Sequence, residues 1–172
     1  MERRDFLKST LAVSAATLPF LRSLPASAAP SGTIVVAMGQ TINSLDLHRK
    51  GTNRPSYQVA VNVYDRLVSF GTKTTEDGGL YYDYSVIKPE VAESWDVTPD
   101  GKAIIFKLKP HGLFHDGSPI TAHDVKWSFD RAVTLGGFPA VQMKAGSLES
   151  PDQFEVVDDL TFKVNLIRPS KL

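Results

Sequence analysis

The sequence contains no cysteine. Disulfides, thiolate zinc sites and thiol nucleophiles are excluded by that alone, and so is a lipobox, whose lipid is attached to a cysteine at the mature N-terminus. There is no excess of charge either. The 19 Lys and Arg offset 19 Asp and Glu, which leaves no electrostatic ground for nucleic acid or an anionic membrane as a partner. A Gly-rich phosphate loop is missing: Gly78-Gly79 and Gly136-Gly137 lack a following Lys-Ser/Thr and do not join a strand to a helix. No G-x-S-x-G nucleophile elbow occurs. What remains is a chain of 172 residues, 42% of them hydrophobic. That is room for one ordinary domain, and too apolar a composition for disorder.

The first 28 residues read as an address. Arg3 and Arg4 precede a mostly apolar stretch, residues 11–21, which Pro19 interrupts and Arg22 stops. This falls short of the ~20 residues of a membrane-spanning helix. Ala26 and Ala28 supply the small side chains a signal peptidase accepts, with the cut placed after Ala28. The Arg3-Arg4-Asp5-Phe6-Leu7-Lys8 core resembles a twin-arginine export signal, although Glu2 stands where such signals have Ser or Thr. A Sec signal, or a chance basic start, is the alternative. Removing the leader takes four of the basic and two of the acidic residues with it, leaving a soluble surface of net charge −2.

In the mature chain, residues 33–38 (Thr-Ile-Val-Val-Ala-Met) are continuously apolar and β-branched, the pattern of a strand buried on both faces. Residues 40–55 are polar and broken by Gly51, Asn53 and Pro55, hence a loop. Helical spacing follows over 56–67, with Val59, Val63 and Leu67 on one face and Ser56 as N-cap. Residues 68–70 form a short strand, and 72–79 an exposed hairpin or loop. Residues 88–95 read as a turn backed by Trp95. The Pro99-Asp100-Gly101-Lys102 turn joins a leading segment to a strand over 103–109 whose two faces alternate. Thr121 caps a helix over 122–133 that buries Val125, Phe129 and Ala132, with Asp124 completing a capping box and Gly136-Gly137 stopping it. Residues 140–151 look like a loop. A second hairpin turns at Asp158-Asp159 and buries Leu160, Phe162, Val164 and Leu166.

Several groups that could carry chemistry read more simply. His111 and His115 have helical metal-site spacing, but Pro110, Gly112, Gly117 and Pro119 forbid a helix there, so a turn is expected. His48 and His123 are expected to be solvated, Asp158 and Asp159 to be turn residues, and Trp95 and Trp127 to be core anchors. No metal site and no cofactor is expected. The loop 40–55 follows a buried strand, the usual place for ligand contacts in an open α/β sheet. Gln40, Thr52, Asn53 and Arg54 are the candidate ligand-binding residues because their side chains can donate hydrogen bonds to carbonyls or a carboxylate.

The order of the pieces resembles a known family. After Ser44-Leu45-Asp46 come N-V-Y-D-R-L-V (62–68), K-P-E-V-A-E-S-W-D-V-T-P-D-G-K (88–102), F-H-D-G-S-P-I-T-A-H-D-V-K-W-S (114–128) and V-D-D-L-T-F-K-V-N-L (157–166). These blocks are similar to the family 5 extracellular solute-binding proteins, the peptide and nickel binders of ABC importers. Leu47 departs from the usual Pro, and residues 73–86 are longer than usual. The resemblance implies an α/β fold, periplasmic binding protein-like (type II, two-lobed with an extra domain), of which the N-terminal part is present. Residues 29–70 would start the first lobe, and 71–172 would make most of the extra domain. It implies a non-enzymatic protein that binds a peptide or small-molecule solute in the periplasm, probing no nucleic acid. Its partners would be an ABC permease in the inner membrane and the twin-arginine translocase during export, and the mature protein would be a monomer. An exported metal-handling protein, or a chaperone-like binder of polypeptides on the same fold, is the alternative.

Overall fold

The computed structural model of the chain describes residues 32–169. The signal residues Arg3, Arg4, Ala26 and Ala28 lie outside them. The chain divides between Ala37 and Met38. Of the first part, residues 32–37 are described. They form no strand, and Ile34 is 89% exposed. This corrects the doubly buried strand expected at 33–38. Such a strand needs a partner along each edge and a layer over each face, and among the described residues nothing pairs with this run.

From Met38 onward, an irregular segment leads into helix α1 (Arg54–Ala60). The helix starts two residues earlier than its spacing suggests, because the Asn53 side chain accepts from Ser56 N and Pro55 takes a first-turn position where no N–H is required. It also ends earlier. Val61, Asn62 and Val63 are weak helix formers; beyond them the Leu67 carbonyl accepts from Glu90 N and Ala92 N. A hairpin follows, β1 (Val68–Thr74) and β2 (Leu80–Pro89), with a bulge between Phe70 and Gly71. The lobe boundary expected at 70/71 therefore falls inside β1.

Strands β3 (Ala92–Val97) and β4 (Ala103–Leu108) form the next hairpin. The turn expected over 88–95 is instead the end of β2 and most of β3. After β4 the Phe114–Pro119 turn leads into α2 (Ala122–Thr134), where Thr121 N donates to Asp124 Oδ2 at 2.9 Å, as the capping box requires. Gly136, at φ +65°, ends it. A further helix, α3 (Phe138–Ala145), occupies much of the region expected to be loop. Pro139 lies in its first turn, where proline starts helices and does not break them. A 3-10 turn (Pro151–Gln153) precedes β5 (Phe154–Asp158) and β6 (Thr161–Asn165).

The four later strands make one antiparallel sheet in the order β3-β4-β6-β5, and β1-β2 form a separate pair. Helix α2 lies on the larger sheet. Its Val125, Phe129 and Val133 pack with Ala92, Leu108, Phe154, Phe162 and Val164; Phe162 is fully buried, and Ala132 is buried outside this cluster. Rings of Phe129, Phe154 and Phe106 surround Phe162 at 5.1, 6.3 and 6.4 Å between centroids. The chain is tied across this layer where Ala122 N donates to Asp159 O, so the β5–β6 turn meets the start of α2. Trp127 is not a core anchor: it is 64% exposed. At 100° per residue it stands about 200° from both Val125 and Phe129, on the opposite side of α2. Trp95, on the edge strand β3, is half-buried.

Candidate functional site

The irregular segment 40–53 is held by a polar knot centred on Ser56, which is fully buried. Its hydroxyl accepts from Asn43 N (3.1 Å) and Ser44 N (3.3 Å) and lies 2.8 Å from Asn53 Oδ1, to which it donates. Asn43 Oδ1 accepts from Asn53 N, and Asn43 Nδ2 donates to Gly51 O. These bonds close the loop on itself across ten residues. A buried hydroxyl with every partner satisfied is worth more to uniqueness than to net stability.

Of the four candidate ligand residues, two are used inside this knot. Thr52 Oγ1 donates to Asp46 O at 2.9 Å, and Asn53 Nδ2 donates to Thr41 O at 2.8 Å. Gln40 and Arg54 are exposed, and no described residue engages their side-chain donors. They stand at the two ends of the segment.

Asp46 and Arg131 were not legible as partners. Arg131 Nη1 and Nη2 donate to Asp46 Oδ1 and Oδ2 at 2.6 and 2.7 Å, a parallel fork joining residues 85 apart in sequence. The bonds from Arg131 hold the Asp46 carboxyl down at about 2, against the desolvation that pushes it up. His48 lies beside this pair and is half-buried, which corrects the solvated reading. Its Nδ1 is buried, and no described residue offers it a hydrogen bond. Burial lowers its pKa and the Arg131 charge adds to that, while Asp46 opposes. The only signals in the sequence were the Ser44-Leu45-Asp46 string and the Gly136-Gly137 pair. Neither points to the other.

Next to the fork opens a cleft of about 820 Å³. Its walls include Leu45, Val63, Leu113, Phe114 and Trp127, with Asp46, His48, Arg66 and Arg131 at its polar side. The volume lies in the range of small-molecule sites. The residues supply apolar surface and fixed charges. Among the described residues no three His, Cys, Asp or Glu side chains converge as metal ligands. Asp116 and Asp158 are turn residues, accepting from Ser118 N and Leu160 N.

Sequence and structure comparisons place this geometry among periplasmic binding proteins. The PBP/SBP MoaA of A. tumefaciens R10, solved in complex with mannopinic acid, superposes with a TM-score of 0.59 at 26% identity, over 75% of this chain and 24% of that one. Glutathione-binding protein GsiB of Pectobacterium atrosepticum is 35% identical over 136 residues, 78% of this chain and 23% of that protein. Di/tripeptide-binding protein 4 of Pseudomonas aeruginosa is 30% identical over 175 residues, 88% of this chain and 31% of its own length. Residues 86–172, half of the chain, match bacterial extracellular solute-binding proteins, family 5 Middle. The chain belongs to that family. It spans 23% and 31% of the length of the two curated relatives, both of which are named as binding proteins.

Proposed function

We propose that the protein is a periplasmic solute-binding protein that delivers peptides or similar small solutes to an ABC importer, without catalysing a reaction. The family match over residues 86–172 carries this reading. The names of the relatives, which bind glutathione or di- and tripeptides, favour a peptide-like solute. Residues 29–70 would contribute to the first lobe and 71–172 to the extra domain, with β1 crossing between them. Gln40 and Arg54 are the residues of this stretch that would meet the solute, Arg54 through a carboxylate and Gln40 through a carbonyl. Affinity in such proteins comes from enclosing the ligand between lobes that close on a hinge. The closed form would dock on the inner-membrane permease as a monomer. The leader would direct export through the twin-arginine translocase by Arg3 and Arg4, with cleavage after Ala28.

The test is to purify the protein expressed from its intact gene, identify any co-purifying solute by native mass spectrometry, and titrate it with an equimolar mixture of di- and tripeptides. Saturable binding is expected, weakened by Arg54→Ala. A protein that carries no solute and shows no heat with the mixture overturns the peptide reading. For the route, Arg3→Lys with Arg4→Lys is expected to stop periplasmic accumulation; undiminished export would point to Sec.

A further inference from the structure

We propose that Arg131 is a positioning residue for the solute loop: its fork on Asp46 latches residues 40–53 to the C-terminal end of α2. The proposal rests on the solute-binding reading above for the purpose it gives the loop, and on geometry for the latch itself.

Asp46 is the hub of the loop. Its carbonyl accepts from Thr52 Oγ1, and its Oδ1 accepts from His48 N. Whatever fixes Asp46 therefore fixes both limbs of the segment. The fork does this from α2, an element anchored by the buried core, through a planar guanidinium that sets both distance and angle. Trp127, one turn earlier on α2, lies 5.6 Å over the same guanidinium and narrows the orientations open to it. This gives the exposed indole a role that core packing does not.

A second contact presses the same segment onto the same corner. Gly137 caps α3 three residues past the end of α2, and a Cβ there would meet the His48 carbonyl oxygen well inside contact distance and stand 3.0 Å from the Arg49 carbonyl oxygen. On the far side, Tyr57 of α1 donates to Leu47 O and sets its ring edge-on to Phe138 at 5.6 Å. Segment 46–49 is thus gripped between α1 and the α2–α3 corner. Among the described residues, the Asp46–Arg131 fork is the one contact in that grip made by a pair of opposite charges. Lysine keeps the charge but cannot form the fork, so the two substitutions at 131 separate charge from geometry.

The experiment uses protein expressed from the intact gene, as wild type, Arg131→Lys and Arg131→Met. Amide exchange is followed by mass spectrometry, and affinity is measured with the di- and tripeptide mixture. Arg131→Met is expected to accelerate exchange in residues 43–53 about tenfold, the scale of one charge-assisted hydrogen bond, with residues 154–165 unchanged. Affinity falls by a similar factor, and Arg131→Lys lies between wild type and Arg131→Met in both. Acceleration spread evenly over the loop and β5–β6 would make Arg131 a general stabiliser and overturn the latch, as would no acceleration. Loop release with full affinity retained overturns the positioning role while leaving the solute-binding reading intact. A wild type that does not bind the mixture, but whose loop is released by Arg131→Met, upholds the latch and overturns the peptide-binding reading.

Discussion

Gly137→Ala isolates the loop-to-corner contact from every charge. The backbone at Gly137 has φ −76° and ψ −171°, which alanine adopts without strain. Taken alone, the change would stabilise by about 0.4–1 kcal/mol, through loss of freedom in the unfolded chain. Two effects oppose it. Glycine is the better N-cap for α3, an advantage on the order of 1 kcal/mol. The larger effect is steric. The new methyl would sit 3.0 Å from Arg49 O and 3.1 Å from Arg49 C, and closer still to the His48 oxygen, where ordinary contact begins at 3.4 Å. The obstacle is backbone, so the 48–49 peptide must retreat and take the loop with it. Overpacking of this kind costs about 1–3 kcal/mol, which gives a net loss of about 1–3 kcal/mol. Gly112→Ala is the control, because its Cβ would meet nothing nearer than 3.6 Å. Urea denaturation gives the size of the loss, and amide exchange in residues 44–50 gives its location. If Gly137→Ala matches the control in both, segment 46–49 is not seated on the corner as described.

Four further outcomes follow from the packing. Phe162→Ala, at the centre of the phenylalanine cluster, is expected to cost about 3–5 kcal/mol; a urea midpoint within error of wild type would mean that α2 and the sheet do not share this core. Gln153 is buried and its amide makes four bonds, donating to Ser147 O and Asn165 O and accepting from Glu149 N and Ser150 N. Gln153→Leu keeps the size but orphans those partners, a loss of about 2–3 kcal/mol, checked by the same denaturation. Trp127→Ala is expected to change stability by no more than about 1 kcal/mol, the scale of an exposed cation–π contact, and a loss several times larger would contradict its exposure. Acidification is expected to weaken the fold in two stages. His48 has a lowered pKa in the folded state, so the unfolded chain takes up its proton first and stability begins to fall below about pH 6.5. Asp46, held at about 2, contributes fully above about pH 3.8, and its share is lost as pH falls toward 2. His48→Gln should flatten the first stage of a urea-midpoint profile and Asp46→Asn should reduce the second; unchanged profiles would refute the assignment.

Local chemistry made several elements readable. The Thr121–Asp124 capping box, the Pro99–Lys102 turn and the alternation of Phe162 and Val164 are set by residues a few positions apart. Their hydrogen bonds and faces form in the same way whatever surrounds them. The run at 33–38 shows the limit of such reasoning, since continuous apolar residues state only that burial is required and not where the cover comes from. Helix α1 stops at Ala60, and further along Arg66 and Leu67 give their carbonyls to Val91, Glu90 and Ala92, partners more than 20 residues away that local spacing does not reveal. Trp127 departs from expectation for a different reason: size and apolarity favour burial, but its angle around α2 puts it opposite Val125 and Phe129.

The sequence by itself determined the family, through ordered blocks whose turns and caps are local, and it marked 40–55 as the irregular stretch of interest. Which donors in that stretch remain available was decided only by the tertiary structure. Thr52 and Asn53 have the same side-chain chemistry whether they face a solute or their own loop, and only the closure around Ser56 turns them inward. The Asp46–Arg131 fork was beyond reach for the same reason. Charge pairing has no sequence period, and a carboxylate finds its guanidinium 85 residues away only after β3 to β6 and α2 have packed and brought that end of the helix to the loop.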